Sequence, residues 1–360
     1  MRFGLIGCGW IVERCHAPSM ALAENVEIVA VADPSPGRAD LVGDLFGLEP
    51  GSRYTDYREL LAREDIQVVS VGTPPTTHRE IVEAATARSV HVLCEKPLAL
   101  NLADCDAMVM AAERAGVKLA VYHNYLWYTS TIKLRELIAA GAIGDVVSTE
   151  IRGLGLRPWV GNDAYRPGWR FSVDQGGGGA LMDAGLHALY MTEALHGSIP
   201  VAATASMAFE QPGVDASALC QLRMASGGAA TVEIGWQHGD GAIAVYGTEG
   251  YLRVVIDENM GYYGVPARAI REFSGGAPQS APSKAHYLPL GFNMMEPQLY
   301  RDLVDSLEGG PTAYPAFGAD GRRAIETALA LYAGATRQSW VDVPIPQDDP
   351  VYEGGVAALV

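Results

Sequence analysis

Apolar runs and helical patterns alternate along the first third of the chain. Near-continuous aliphatic runs stand at Arg2 to Ile6, Val26 to Ala32, Val68 to Gly72, Val90 to Cys94 and Val117 to Tyr122. Runs of this kind, without polar alternation, belong to strands buried on both faces, as in parallel sheets. Between them, Thr76 to Arg88 and Leu102 to Ala115 carry apolar residues at helical spacing, the second with a capping residue at Asn101. Strand, helix and strand in repetition predict an N-terminal, right-handed, doubly wound parallel sheet of the α/β class.

From Val146 onward the pattern changes. Longer runs appear at Val146 to Leu154, Val201 to Phe209, Ala218 to Met224, Ala229 to Gln237, Ile243 to Tyr246 and Tyr251 to Val255. Glycine turns such as Ala225-Ser226-Gly227-Gly228 join them, which predicts a large, mostly antiparallel sheet in a C-terminal α/β domain. The change falls near Tyr122 to Tyr128 and sets domains at 1–122 and 123–345, with a tail at 346–360. The helical pattern from Asp320 to Gln338 is expected to pack back between the domains. A Gly- and Pro-rich stretch from Gly261 to Asn293, with Tyr262, Tyr263, His286 and Tyr287, reads as a long loop, a lid or an interface.

Composition narrows the partners. The chain has 360 residues, enough for two domains that each bury a core. Its 42 Asp and Glu against 26 Lys and Arg give a net charge of −16, which repels phosphate backbones and anionic lipid. Nucleic acid and membrane are therefore not expected as partners. No apolar run approaches the roughly 20 residues of a membrane-spanning helix, and no signal-peptide pattern precedes the first strand. Five cysteines at irregular spacing, without a C-x-x-C pair, read as reduced thiols, so the expected location is the cytoplasm.

The candidate chemistry begins at Gly7-Cys8-Gly9-Trp10-Ile11-Val12, just after the first strand. Gly7 and Gly9 permit a tight turn and close approach of backbone amides to a pyrophosphate at a helix start, with Trp10 and Ile11 opening that helix. Val12 stands where the usual fingerprint has a third glycine, so somewhat looser helix–strand packing is expected there. Asp33 ends the second strand, where a carboxylate accepts hydrogen bonds from an adenosine ribose and repels a 2′-phosphate. This favours NAD over NADP, with Arg38 keeping the second open and a turn role before Pro34 as the bland alternative for Asp33. Thr73-Pro74-Pro75 ends the third strand, placing Thr73 and Pro74 beside the nicotinamide ribose. His78 lies next to them, in either a cofactor-binding or a capping role.

Glu95-Lys96-Pro97 lies past the carboxyl end of the fourth strand, where open α/β sheets bind ligands. An ammonium there can hold a substrate hydroxyl and stabilise charge developing on its oxygen, although a solvated Glu95–Lys96 pair is the alternative. The Lys96–Pro97 bond could be cis. Far along the chain, Gly176 to Gly179 form a flexible glycine lead into a helix carrying Asp183 and His187, four apart on one face. A histidine suits proton transfer near neutrality, and the aspartate can bind a neighbouring hydroxyl or orient the ring. Zinc is the rival use of such a pair, but no third ligand stands nearby and no metal is expected. Between these motifs, Arg157 to Arg170 holds Trp159, Tyr165, Arg166, Trp169 and Arg170, rings and guanidinium groups suited to a sugar or merely to anchoring the loop.

Taken in order, these motifs resemble the Gfo/Idh/MocA oxidoreductase family. The resemblance runs from the Gly7/Gly9 loop and Asp33 through Thr73-Pro74-Pro75, Glu95-Lys96-Pro97, Gly141-Ala142-Ile143-Gly144 and Trp169-Arg170. It continues to Asp183 with His187, Tyr246-Gly247-Thr248-Glu249-Gly250 and Trp340-Val341-Asp342-Val343-Pro344. It implies a Rossmann domain followed by an α/β domain whose sheet mediates homodimer or homotetramer contacts. It further implies NAD(P)-dependent hydride transfer at a hydroxyl or keto carbon of a sugar, cyclitol or derivative.

By motif, the resemblance makes Lys96 the polarising group, His187 the proton acceptor and Asp183 a substrate ligand or orienting partner. It adds Tyr122, Asn124, Trp169 and Arg170 as substrate contacts, and Glu95 with Lys96 beside the cofactor, so that the site forms where the domains meet. Two rivals share the fold: NAD-dependent glycoside cleavage by transient oxidation and elimination, and a non-catalytic nucleotide sensor. Two departures concern substrate choice, Leu126 in place of a family arginine and Tyr190 where many members have aspartate.

Overall fold

The computed structural model describes residues 1–153, 168–236, 241–255, 269–274, 284–287 and 297–360. Arg157, Trp159, Tyr165, Arg166, Tyr262 and Tyr263 lie outside the described residues. The chain divides into two compact units, Met1–Asn124 with Asn293–Arg323, and Tyr125–Phe292 with Ala324–Val360.

In the first unit, β1 (Arg2–Ile6), β2 (Glu27–Ala32), β3 (Arg53–Tyr54), β4 (Val68–Val71), β5 (His91–Cys94) and β6 (Leu119–Val121) form one sheet. All pairs are parallel, in the order β3-β2-β1-β4-β5-β6. This is the doubly wound Rossmann arrangement, and its order reverses between β1 and β4, where such sheets bind ligands. Phe3, Val31, Val68, Val69 and Leu93 have no measurable exposure, as the unbroken apolar runs require. Each contributes roughly 1.5–3 kcal/mol by leaving water. The helix Leu102–Ala115 starts where Asn101 accepts the Asp104 N–H at 2.7 Å and stops at Gly116 in the left-handed region.

The first unit is discontinuous, not the contiguous 1–122 that the change of pattern indicates. Val121 N–H donates to the Ala316 carbonyl at 2.8 Å, Tyr314 hydroxyl donates to the Val121 carbonyl at 2.9 Å, and Phe317 bridges Ala120 antiparallel. The returning segment therefore lengthens the sheet at β6. Such a short addition has no periodicity of its own to read.

The second unit holds β7 (Val146–Arg152), β8 (Pro200–Gln211), β9 (Val214–Met224), β10 (Ala229–Gly235), β11 (Ala242–Gly247), β12 (Gly250–Val255), β13 (Ala269–Ser274), β14 (Lys284–Tyr287) and β15 (Val341–Asp342). Their order is β14-β13-β12-β11-β7-β10-β9-β8-β15. Among the described residues the one parallel pair is β10 with β7, so the sheet is mixed and mostly antiparallel. Strands β13 and β14 replace part of the single loop expected from Gly261 to Asn293. The helix Leu186–His196 lies against β7 and β10, with nine of its 11 residues buried. It is enclosed, not amphipathic.

Candidate active site

The glycine loop is built by close contact. Gly7 has φ +88°, and a Cβ there would stand 2.8 Å from the Gly72 carbonyl carbon and oxygen. Val12, in place of the third glycine, is buried, and its methyl sits 2.4 Å from where a Cβ of Gly72 would lie. The room given up at position 12 is thus recovered at position 72. The turn continues as a π-helical stretch at Val12–His16. Asp33 fixes the loop from β2, accepting the Cys8 N–H at 2.8 Å and the Ser35 N–H at 2.9 Å. A carboxylate has about four acceptor positions, so both oxygens retain capacity for ribose hydroxyls.

Arg38 Nε donates to the Cys8 carbonyl at 2.7 Å, and its guanidinium pairs with Glu13 at 2.9 Å. Burial, then Asp33, push the Cys8 thiol up to about 12, with Arg38 opposing, so the loop carries no thiolate. Gly9, Trp10, Ile11 and Thr73 are half-buried and Pro74 is exposed around the same crevice. The loop without a Cβ at Gly7 and the carboxylate at the end of β2 fit an NAD dinucleotide.

His78 takes a supporting position. It is fully buried, with Nε2 2.9 Å from the Thr73 carbonyl and Nδ1 3.1 Å from the carbonyls of Pro97 and Leu98. Its ring is wedged between the turn after β4 and the turn after β5, donating its one N–H to one of them, and carbonyls cover both nitrogens, away from the cofactor contact expected of it. Burial drives its pKa down against these carbonyls.

Lys96 lies two residues past the end of β5, half-buried, and the Lys96–Pro97 bond is cis. Glu95 beside it is buried. One oxygen accepts the Lys96 N–H at 2.8 Å, and the other lies 2.8 Å from His16 Nε2. Burial opposes charge on Glu95, but His16 and then Lys96 hold its pKa below the ordinary value. Tyr300 hydroxyl lies 2.7 Å from His16 Nδ1, and Tyr122 stacks on the His16 ring at 4.1 Å. Tyr122, expected to touch substrate, is therefore a buried packing partner of His16. His123 is driven down to about 3 by burial, with Arg323 and Lys96 adding to the effect, so it is neutral at physiological pH. Asn124 follows, half-buried, at the start of a short 3-10 turn.

In the second unit, Asp183 and His187 are reached through a π-helical stretch, Leu181–Gly185, not through regular α-helix. Such bulges recur at functional sites because they re-aim side chains. The glycines before it are close-packed instead of flexible. A Cβ on Gly179 would lie 2.0 Å from the Asp215 carbonyl oxygen, and one on Gly178 would strike the Tyr332 hydroxyl. Asp215, wholly buried, accepts the Gly179 and Leu181 N–H groups at 2.9 Å each, and the Tyr332 hydroxyl also donates to it. Burial pushes its carboxyl up, against the lowering by Tyr332 and the two amides. Asp215 thus caps the helix start from a neighbouring strand.

Asp183 pairs with Arg170 at 3.2 Å, and Arg170 lies over the Trp169 ring at 4.5 Å. His187 is 8% exposed. Tyr125 stacks on it at 4.0 Å, and Tyr190 hydroxyl sits 2.6 Å from its Nδ1. Among the described residues no group of three or more His, Cys, Asp or Glu is placed to hold a metal ion, and no helix is long and apolar enough to cross a membrane.

Known proteins share this fold. Residues 1–123 match the model of an oxidoreductase family with an NAD-binding Rossmann fold, and residues 131–253 match the GFO/IDH/MocA C-terminal domain. The 1,5-anhydro-D-fructose reductase of Ensifer adhaerens is 30% identical over 257 residues, 70% of this chain and 74% of that one. The chain belongs to the Gfo/Idh/MocA oxidoreductase family. Similarity to D-apiose dehydrogenase of Rhizobium rhizogenes is 32% over 205 residues and spans 55% of each chain, about half the length of that relative. A levoglucosan dehydrogenase solved with NADH and levoglucosan matches with a TM-score of 0.80 at 25% identity, covering 96% of this chain and 100% of that one.

Within this Gfo/Idh/MocA chain, sequence reading missed His16, Tyr300, Asp215 and Tyr332. Each acts through partners distant in sequence: Tyr300 meets His16 across 284 positions, and Tyr332 meets Asp215 across 117. Asp215 is the second residue of β9 and shares that strand with Ser217, Gln221 and Arg223, so it gave no local signal either.

Proposed function

We propose that the protein is an NAD-dependent dehydrogenase or reductase that interconverts a hydroxyl and a keto group on a sugar, cyclitol or related polyol. The observation that carries this reading is Lys96 at the carboxyl end of β5, in the same sheet as the Asp33-anchored glycine loop. It supplies a cation for a substrate oxygen beside the edge where a dinucleotide binds. Bound NAD supplies or takes up the hydride.

Lys96 holds the reacting oxygen and stabilises charge on it. Glu95, fastened to His16, accepts the Lys96 N–H and so sets the backbone from which the ammonium extends. His187 exchanges that oxygen's proton. Asp183, steadied by Arg170, binds a neighbouring hydroxyl, and the Trp169 ring offers an apolar face to the sugar.

The preference for NAD has two supports. Asp33 carries negative charge where a 2′-phosphate would sit, and Arg38 is neutralised by Glu13 and engaged by the Cys8 carbonyl. Relatives named as sugar dehydrogenases and reductases support the substrate class. Association through the large sheet is part of the same proposal, supported by Phe209 at 45% and Leu219 at 50% exposure. Light scattering that returned a monomer mass would remove it.

The test of function is turnover. Purified protein with NADH and a panel of keto-sugars, or with NAD and aldoses and inositols, is expected to change NADH absorbance. Lys96→Ala and His187→Ala should each lower kcat by roughly two to four orders of magnitude. Full activity in both variants would defeat the assignment.

A further inference from the structure

Tyr190 stands where many family members carry aspartate, and the difference reaches the proton that His187 handles. The Tyr190 oxygen accepts the backbone N–H of Tyr125 at 3.1 Å and lies 2.6 Å from His187 Nδ1. An amide only donates, so Tyr190 oxygen is the acceptor there. The 2.6 Å contact with Nδ1 has the length of a bond from an O–H donor and is shorter than bonds from N–H donors, which directs the Tyr190 hydroxyl proton at Nδ1. A neutral imidazole whose Nδ1 accepts carries its single proton on Nε2. Aspartate in the same place would accept from Nδ1–H and leave the lone pair on Nε2.

The surroundings hold the ring in that relation. Tyr125 stacks on His187 with planes 13° apart, Tyr128 stacks on Tyr125 at 4.2 Å, and Tyr190 meets the imidazole edge-on at 76°. Among the described residues, Tyr125 and Tyr190 are two titratable side chains that lie against the ring. The nearest charges on its own helical segment, Asp183 with its partner Arg170, are paired with each other at 3.2 Å.

We propose that Tyr190 is a proton reserve behind His187, so that the pair rests with its proton on Nε2 and acts first as an acid toward a carbonyl oxygen. This inference rests on the reading of His187 as the proton-transfer group and assigns that group a direction. In reduction the carbonyl carbon gains a hydride from the reduced nicotinamide, which is oxidised, while the Nε2–H bond breaks and the substrate O–H bond forms. The Tyr190 O–H bond breaks as Nδ1–H forms, leaving a phenolate that accepts the Tyr125 N–H, and a solvent proton restores it. In the oxidising direction Nε2 has no lone pair until the pair loses a proton. Oxidation therefore needs a higher pH than it would with a carboxylate partner, which accepts from Nδ1–H and leaves Nε2 its lone pair.

The test uses the full chain labelled with nitrogen-15 in its histidines, with the His187 signals assigned by their loss in His187→Gln. At neutral pH the expected pattern is an unprotonated Nδ1 and a protonated Nε2. In Tyr190→Asp the proton should move to Nδ1 and the ring pKa should rise by about one unit or more. A protonated Nδ1 in the wild type, or no change of tautomer in Tyr190→Asp, would overturn the proposal. Tyr190→Phe gives a second reading should the aspartate variant not fold: Nδ1 loses its donor, and a mixture of tautomers should replace the single form. An unaltered single tautomer in Tyr190→Phe would count against it. None of these spectra requires turnover, so they separate failure of this inference from failure of the reductase reading. In active preparations the rise of oxidation with pH should shift to lower pH in Tyr190→Asp, and an unmoved rise would refute the relay.

Discussion

Replacing Asp215 with asparagine changes one atom type in a fully buried capping site, and the structure sets what that should cost. Both carboxylate oxygens accept: one takes the Gly179 N–H and the Tyr332 hydroxyl, the other takes the Leu181 N–H. An amide keeps a single acceptor oxygen, so its NH2 must face at least one donor. A buried donor left without an acceptor costs about 1–3 kcal/mol: turned one way the amide strands the Leu181 N–H, turned the other way it strands the Tyr332 hydroxyl and leaves the Gly179 N–H with the Tyr332 oxygen at 3.0 Å alone. Gly179 lies directly against this strand, where a Cβ would stand 2.0 Å from the Asp215 carbonyl oxygen, so no water can enter to replace the lost acceptor. The loss should therefore appear as local opening at the start of the helical segment that carries Asp183 and His187. Amide hydrogen exchange is the suitable assay, with the Gly179 or Leu181 amide exchanging roughly ten- to hundredfold faster in Asp215→Asn. Unchanged exchange at both amides, with stability within about 0.5 kcal/mol of wild type, would refute the view that Asp215 caps this segment.

Other expectations follow from the first unit. Gly7→Ala should weaken NAD binding at least tenfold, about 1.4 kcal/mol, since the left-handed backbone and the Gly72 carbonyl both oppose a Cβ; titration calorimetry with wild-type affinity would contradict it. Glu13→Gln with Asp33→Ser should raise the affinity for NADP relative to NAD by releasing Arg38 and removing the repelling charge; an unmoved ratio of dissociation constants would exclude Arg38 as a latent phosphate partner. His123 has its pKa lowered from 6.5 to about 3, so the folded state favours its neutral form. Its stabilising share is present above pH 6.5 and is lost as pH falls toward 3. His123→Gln should flatten the acid limb of a denaturation-against-pH curve, and an equally steep limb would show that other groups dominate.

What the sequence disclosed was what neighbours in sequence determine. The β1 run, the glycine loop, Asp33 and the Asn101 cap are local, and each stands where the spacing places it. Boundaries moved by a residue or two where strand ends fray into turns, as at Val117 and Val90. Strand β3, two residues long, is too short to show a period, and β13 and β14 hide within a Gly- and Pro-rich stretch. The π-helical stretches at Val12–His16 and Leu181–Gly185 also escaped, because residues four apart read as α-helical neighbours in any sequence pattern.

At the candidate site, Lys96, Asp183 and His187 stand out in the sequence by type and spacing, whereas the residues that hold them do not. Glu95 is fixed by His16 from 79 positions away, and Gly179 by Asp215 from 36. Tyr122 and His78 illustrate the converse. Both lie beside the right motifs, yet burial, with carbonyls against the His78 nitrogens and the Tyr122 ring stacked on His16, gives them supporting tasks.

The proposed hydride transfer between a nicotinamide and a sugar carbon, with Lys96 and His187 at the oxygen, can be followed by isotope. The protein is incubated with NADH deuterated on the transferred face of the nicotinamide C4, together with keto-sugars, and the products are read by mass spectrometry. Deuterium is expected on the newly formed carbinol carbon of a product, and none with Lys96→Ala. Bound NADH that delivers deuterium to no sugar, or delivery undiminished in Lys96→Ala, would contradict it.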